Sequence, residues 1–297
     1  MYRALRRRLR PLRAFARDVG GLTRAAQTQA RWLAPPKPRP HGLPARLYVS
    51  LTSFPPRFAT LTLTLKCLLK QTIQPDAVIL WLTEAEAEQL PESIRRLPGL
   101  RIERAPDIRS FKKIIPALAR HRDAFIATAD DDVFYPRTWL EELVRAYRPE
   151  DRIIPCHRAH RLRLTNQGKP RPYADWRLLR EPEMSELVFP TGVGGVLFPP
   201  LSLDAEARDA AQFTKLCPTS DDAWLYWMAR RAGWRFKKIG RRRHFTCWPG
   251  SQRVALQHEN TARGGGNDRQ IAALTSHYGF PPPAHDRPAA TRRAASW

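Results

Sequence analysis

Short strand-like apolar runs alternating with helix-period segments are the feature that most limits how this chain can fold. Arg46–Leu51 (RLYVSL) and Ala77–Leu82 (AVILWL) have the length and composition of strands buried on both faces. Leu100–Arg104 and Ala124–Ala129 (AFIATA) are weaker runs of the same kind. Between them, Ala59–Lys70, Glu84–Leu90 and Lys113–His121 favour helices. The first of these contains LTLTL, which alternates as a strand does, but Leu61, Leu65 and Leu68 fall at helical spacing. This alternation predicts an α/β domain around a mostly parallel, doubly wound sheet flanked by helices. Right-handed crossovers would then set the carboxyl ends of all its strands along one edge, where ligands bind in such folds.

The flanks of the domain differ from its body. The net charge is +23, and residues 1–46 hold twelve Lys/Arg against one acid, Asp18, so about half of the excess sits ahead of the domain. Within residues 1–33, Leu5, Leu9, Leu12, Ala16 and Val19 recur every three or four positions between arginines. That pattern predicts a basic amphipathic helix suited to an anionic membrane surface; a basic tail that binds polyanions without folding is the plainer alternative. Residues 34–45 contain five prolines and read as a stiff linker, 46–280 as the folded domain, and 281–297 as a disordered tail. No run approaches the roughly 20 apolar residues of a membrane span, and arginines interrupt any secretory h-region. Cys67, Cys156, Cys217 and Cys247 are too scattered for a zinc knuckle or disulfide scaffold and read as reduced thiols. The expected location is the cytoplasm, peripheral at the inner face of the membrane.

The strongest chemical signal is Asp130-Asp131-Asp132, directly after AFIATA. Adjacent carboxylates repel, and packing does not reward them. At the end of a strand they offer hard oxygen donors for Mg²⁺ or Mn²⁺, and Asp130 and Asp132 would point to one side of an extended chain as a D-x-D clamp. The plain alternative is an acidic loop before a helix, because Thr138-x-x-Glu141 reads as a capping box. A second pair, Asp221-Asp222, opens the apolar segment AWLYWMA after Thr219-Ser220. Acids there suit a helix N-terminus, and either one could also take a proton from an attacking hydroxyl. Gly192, Gly194 and Gly195, in TGVGGVLF, would let the backbone approach a ligand or another strand closely. Gly264–Asp268 suggests a hinge before a helix over Arg269–Tyr278, with Asn267-x-x-Gln270 as a capping box or a closing lid as the alternatives. His258 and His244 are candidate third metal ligands. Arg57, Lys112 and Lys113 sit just past strands, where they could hold a nucleotide.

In order and spacing, these pieces resemble bacterial glycosyltransferases of the GT-A type, in the broad family-2-like group. The matching stretches are Ser50–Arg57, Lys113–Leu118, Thr128–Pro136, Gly192–Pro200, Thr219–Trp224 and Gly265–Asp268. The resemblance implies a GT-A-like, Rossmann-like sheet and a metal-dependent, inverting sugar transfer. It implies that Ser50, Thr52 and Arg57 border the nucleotide, with Asp107, Lys113, Asp131, Gly194 and Gly195 as further donor-site residues. Asp130 and Asp132 correspond to the metal-binding D-x-D, with His258 beside them, and Asp221-Asp222 to the pair that supplies the general base. The expected partners are a nucleoside diphosphate-sugar, with UDP favoured, a glycan or glycolipid acceptor, and an anionic membrane. The chain departs from the pattern at Asp107-Ile-Arg-Ser-Phe111, where such proteins often read Gly-Pro after the aspartate.

Two other readings stay open. A sugar nucleotidyltransferase also uses acids and a metal, but it carries a glycine-rich basic loop after its first strand, and SLTSFPPRF has no glycine. A polyanion- or nucleic-acid-binding protein would suit the charge. No helix-turn-helix, zinc or RNP pattern supports it, so no specific nucleic acid is expected.

Overall fold

The computed structural model describes residues 10–34, 37–251 and 266–281, with side chains from residue 20 onward. The first nine residues, His258, Gly264, Gly265 and the tail from 282 lie outside the described residues, and with them the readings of His258 as a ligand, of the hinge glycines and of most of the tail.

In chain order the strands are β1 (Arg39–Pro40), β2 (Leu47–Thr52), β3 (Ile73–Gln74), β4 (Ala77–Leu82), β5 (Leu100–Arg104), β6 (Phe125–Thr128), β7 (Ile153–Cys156), β8 (Ala159–Arg161), β9 (Arg177–Leu178), β10 (Glu183–Ser185), β11 (Val188–Pro190), β12 (Val196–Phe198) and β13 (Arg235–Lys238). The α-helices are α1 (Arg10–Leu33), α2 (Phe58–Leu69), α3 (Glu84–Glu88), α4 (Glu92–Arg95), α5 (Ile115–Arg120), α6 (Trp139–Ala146), α7 (Ala210–Leu216), α8 (Asp221–Arg231) and α9 (Gly266–Tyr278).

Among the described residues, eight strands form one sheet in the order β10-β13-β7-β12-β6-β2-β4-β5. β2 runs parallel to β4 and β6, β4 to β5, and β7 to β13. This is an α/β fold with a large, mostly parallel central sheet flanked by helices. β2, β4 and β6 are buried at almost every position, as apolar runs covered by helices on both faces must be. Tyr48, Ile79, Trp81 and Ile126 pack on one face of them; Val49, Leu80 and Ala127 pack with α2 on the other. In α2, Leu61, Leu65 and Leu68 are wholly buried, and each burial contributes about 1.5–3 kcal/mol. The strand-like threonines do not oppose this helix, since Thr64 Oγ1 donates to the Val133 carbonyl (3.2 Å) and accepts from Trp248 Nε1 (2.7 Å).

One expectation needs correction. β12 runs antiparallel to β6 and β7, and β10 antiparallel to β13, so not all strands end on one edge. The reversal of β12 has a positional consequence. Val196, its first residue, pairs with Thr128, the last residue of β6, which brings the glycine-rich turn ahead of β12 to the edge where the aspartate triplet emerges.

The N-terminal helix is docked. Thr28 Oγ1 lies 3.4 Å from Cys67 Sγ, Lys66 donates to Gln29 (2.7 Å), and Lys66 and Lys70 sit over the Trp32 ring. A Cβ on Gly21 would stand 2.6 Å from Pro249, so α1 lies against the loop that follows β13. The proline-rich segment is also fastened: β1 pairs with β3, and Arg39 binds Glu141 (2.6 Å). No helix among the described residues is long and apolar enough to cross a membrane, and all four cysteines are free thiols.

Two capping boxes read from the sequence do not form. Thr138 Oγ1 turns to Glu142 (2.6 Å) and Glu141 binds Arg39 and Thr72, while α9 begins at Gly266, ahead of Asn267. Among the described residues a capping box forms at Thr83 with Glu86, at the start of α3.

Candidate active site

The edge reached by β2, β4, β6 and the turn before β12 gathers most of the residues that the sequence singles out. The triplet leaves β6 as a bend held from three sides. The Asp130 amide donates to the Tyr135 hydroxyl (2.8 Å), Trp248 N–H donates to the Asp132 carbonyl (2.9 Å), and Phe134 N–H donates to Thr246 (2.9 Å). Asp131 and Asp132 are buried, whereas Asp130 keeps part of its surface open.

Two cations organise the carboxylates. Arg57, buried in the turn before α2, reaches Asp131 (3.1 Å) and Asp132 (2.5 Å), and Ser53 Oγ donates to the other Asp131 oxygen (2.6 Å). Lys113, also buried, reaches Asp221 (2.8 Å) and Asp130 (3.5 Å). Lys113 thus ties the end of β6 to the first turn of α8. Asp222 Oδ1 accepts the Gly192 N–H (2.8 Å), which brings in the glycine turn as well.

Burial pushes the Asp131 carboxyl up to about 7, against the opposing pull of Arg57. Burial, then the Asp130 charge, raises Asp132. Burial, then the Asp221 charge, pushes Asp222 up to about 7. Burial works to discharge Lys113, but Asp221, Asp130 and Asp222 more than offset it and hold the ammonium firmly charged. In the described ion pairs Arg57 reaches Asp131 and Asp132, and Lys113 reaches Asp130 and Asp221.

The glycine turn is shaped by what crowds it. A Cβ on Gly192 would stand 2.7 Å from Lys113 Nζ and 3.0 Å from Asp222. Gly194 and Gly195 have φ of +96° and +93°, and side chains there would overlap the rings of Phe245 and Trp139. The close approach expected of a ligand or strand at Gly194 and Gly195 is made by these two rings, and Trp139 Nε1 donates to the Gly194 carbonyl (2.6 Å).

Other expected residues are placed differently. Ser50 lies fully buried beneath the site, donating to the Lys113 carbonyl (2.6 Å) and accepting from Trp81 Nε1 (2.9 Å), so it supports Lys113 from below. Thr52 Oγ1 donates to the Trp81 carbonyl (2.8 Å). Asp107 is exposed and accepts the Arg109 amide (3.1 Å), while Lys112 binds Glu86 (2.6 Å). His244 is exposed, and among the described residues no hydrogen bond or ion pair joins it to the triplet.

No protein-family model matches this chain, and no curated protein matches it. Ser53 was not singled out by the sequence, and Gln270, read there as a capping-box residue, acts elsewhere. Gln270 accepts the Thr219 amide (3.0 Å) and donates to Thr219 Oγ1 (2.9 Å), fixing the turn that delivers Asp221. These bonds act across the fold, over 78 and 51 residues, which no local pattern reveals.

Among the described residues no group of three or more His, Cys, Asp or Glu is arranged to hold a metal. A closed, all-protein metal cage is therefore not formed by them. Among the described residues the donors near the triplet are carboxylate oxygens, the type that would suit a hard divalent ion bound through one or two carboxylates and completed by water and substrate phosphates. Asp130 and Asp132 are the residues that would hold it.

Proposed function

We propose that the protein is a GT-A-type glycosyltransferase that moves a sugar from a nucleoside diphosphate-sugar to a hydroxyl acceptor with inversion. The observation that carries this reading is the bridge Asp130–Lys113–Asp221, with Asp222 fastened to Gly192. It joins the triplet, the helix-start pair and the glycine turn, which the resemblance makes parts of a single site. Manganese or magnesium at Asp130 and Asp132 would supply charge neutralisation for the diphosphate leaving group. Asp222 takes the proton of the acceptor hydroxyl as its oxygen bonds to the anomeric carbon, and the bond from that carbon to the diphosphate oxygen breaks. A carboxyl near pH 7 suits that role, while Asp221 is held in the Lys113 ion pair. Lys113 keeps the cleft from carrying its full negative charge and leaves it open to a diphosphate.

Calorimetric titration with UDP, GDP and CDP, with and without Mn²⁺, tests the donor class. We expect one nucleotide, UDP first, to bind only with the metal, and Asp130→Asn to weaken it by at least about tenfold, the loss of one charge-assisted contact. Metal-independent binding, or none, would overturn the reading.

We also propose that α1 meets an anionic membrane, where a glycolipid acceptor resides. Leu22 and Leu33 are 67% and 84% exposed on this docked, basic helix. Leu22→Asp with Leu33→Asp should abolish co-sedimentation with phosphatidylglycerol vesicles; unchanged sedimentation refutes the contact.

A further inference from the structure

The glycine turn has a second side. There, the ends of β7 and β13 and the segment Arg242–Phe245 line a half-open cavity of about 210 Å³. Arg158, Lys238, Arg242 and Arg243 line it, Val193 and Phe245 contribute apolar wall, and no lining residue is acidic. Like charges gathered in a concave site repel one another, and a matching anion relieves that repulsion.

The local bonds leave much of this charge unanswered. Arg158 Nη1 donates to Thr191 Oγ1 (2.7 Å), a neutral partner. Arg243 Nη2 donates to Glu142 (2.9 Å), but its Nη1 is buried with no hydrogen-bond partner among the described residues. Lys238 is 1% exposed and donates to the Gly240 carbonyl; burial lowers its pKa. Arg242 is exposed and in no ion pair among the described residues. Burial pushes His157 down to about 4, so it adds no charge at neutral pH, and its Nε2–H donates to the Trp139 carbonyl (3.0 Å).

The cavity and the catalytic carboxylates share a wall. Arg158 is bonded to Thr191, the next residue is Gly192 with its amide on Asp222, and Val193 lines the cavity. We propose that this cavity binds a phosphate-type oxyanion carried by the acceptor, anchoring that substrate beside Asp222. Guanidinium groups and a buried ammonium suit a tetrahedral oxyanion, and the apolar wall suits the group that carries it. The assignment to the acceptor rests on the transferase reading; the anion site does not.

The test is calorimetric titration of the full chain with inorganic phosphate, glycerol 3-phosphate and monomeric dihexanoyl phosphatidic acid. The variants are Arg242→Glu, on an exposed side chain, and Arg158→Ala with Arg242→Ala. We expect salt-sensitive binding by the wild type and a loss of at least about tenfold in both variants, as for removal of a charge-assisted bond. Asp130→Asn should leave this binding unchanged, and UDP binding with Mn²⁺ should be the same in wild type and arginine variants. Tighter binding of the phosphatidic acid by about tenfold assigns a lipid headgroup, and equal binding of glycerol phosphate a soluble ester. Absence of binding for all three probes, or equal binding by the arginine variants and wild type, overturns the proposal. A wild type that binds phosphate but no nucleotide keeps the anion site and removes the transferase reading.

Discussion

Lys113→Met is expected to lower the melting temperature by roughly 10 °C at pH 8. Lys113 is the buried cation between Asp130 and Asp221, with Asp222 close enough to act on it. Breaking a buried pair from one side typically costs about 3–5 kcal/mol, because the remaining charges stay buried without compensation. For a domain of this size each kcal/mol moves the midpoint by about 2–4 °C. The sign of the pH dependence follows from the carboxylates. Asp222 is already raised by burial, and without the ammonium that holds it down it rises further above its unfolded value, so the folded chain keeps an extra proton and its stability falls as pH increases through that window. The deficit should therefore be largest at pH 8 and shrink toward pH 5. Adding Asp221→Asn to the same chain should recover much of it. Calorimetric melting of the three proteins at both pH values checks this, and a Lys113→Met midpoint within about 2 °C of wild type would show the bridge to be energetically idle.

That lysine also marks how far the sequence could be read. AVILWL and LRIER form strands at the residues that their patterns predict, because continuous or alternating apolar runs leave the backbone few other ways to hide. The helix over Ala59–Lys70 forms one residue earlier, at Phe58–Leu69. Lys113 and Arg57 were legible as cations past strands, and the two acidic groups as chemically purposeful. Which acid pairs with which cation was not. Those pairings span 74 residues for Arg57–Asp131 and 108 for Lys113–Asp221, and the first rests on β2 lying parallel beside β6. Val196–Phe198 is too short and too uniformly buried for its pattern to reveal a direction. The glycines make room for long-range partners as well: Gly194 and Gly195 lie against Phe245 and Trp139, 50 or more residues away, and the Gly195 carbonyl accepts the His157 N–H just past β7. Ser50, which the resemblance sets at the border of the nucleotide, gives its hydroxyl to Trp81 and the Lys113 backbone, bonds that no local pattern announces.

Asp222→Asn should reduce kcat by about 10²–10⁴ with little change in the affinity for the nucleotide, the range for removal of a general base. The amide oxygen of asparagine can still accept the Gly192 N–H, so the turn keeps its anchor and the loss reports chemistry. Asp221→Asn changes the Lys113 pairing instead and should cost less in kcat and more in melting temperature. The pH profile separates the two roles. A base works as its carboxylate, and burial together with the Asp221 charge lifts Asp222 to about 7. kcat/KM for the wild type should therefore rise with pH through about 7, so that at pH 6 roughly a tenth of the plateau remains. In Asp222→Asn that rise should vanish, leaving a flat, low profile. Steady-state rates of both variants from pH 5.5 to 8.5 decide the assignment. If both asparagine variants keep near-wild-type rates, proton transfer to the α8 start is wrong; if only Asp221→Asn is inactive, the base is Asp221, and Lys113 modulates its charge directly.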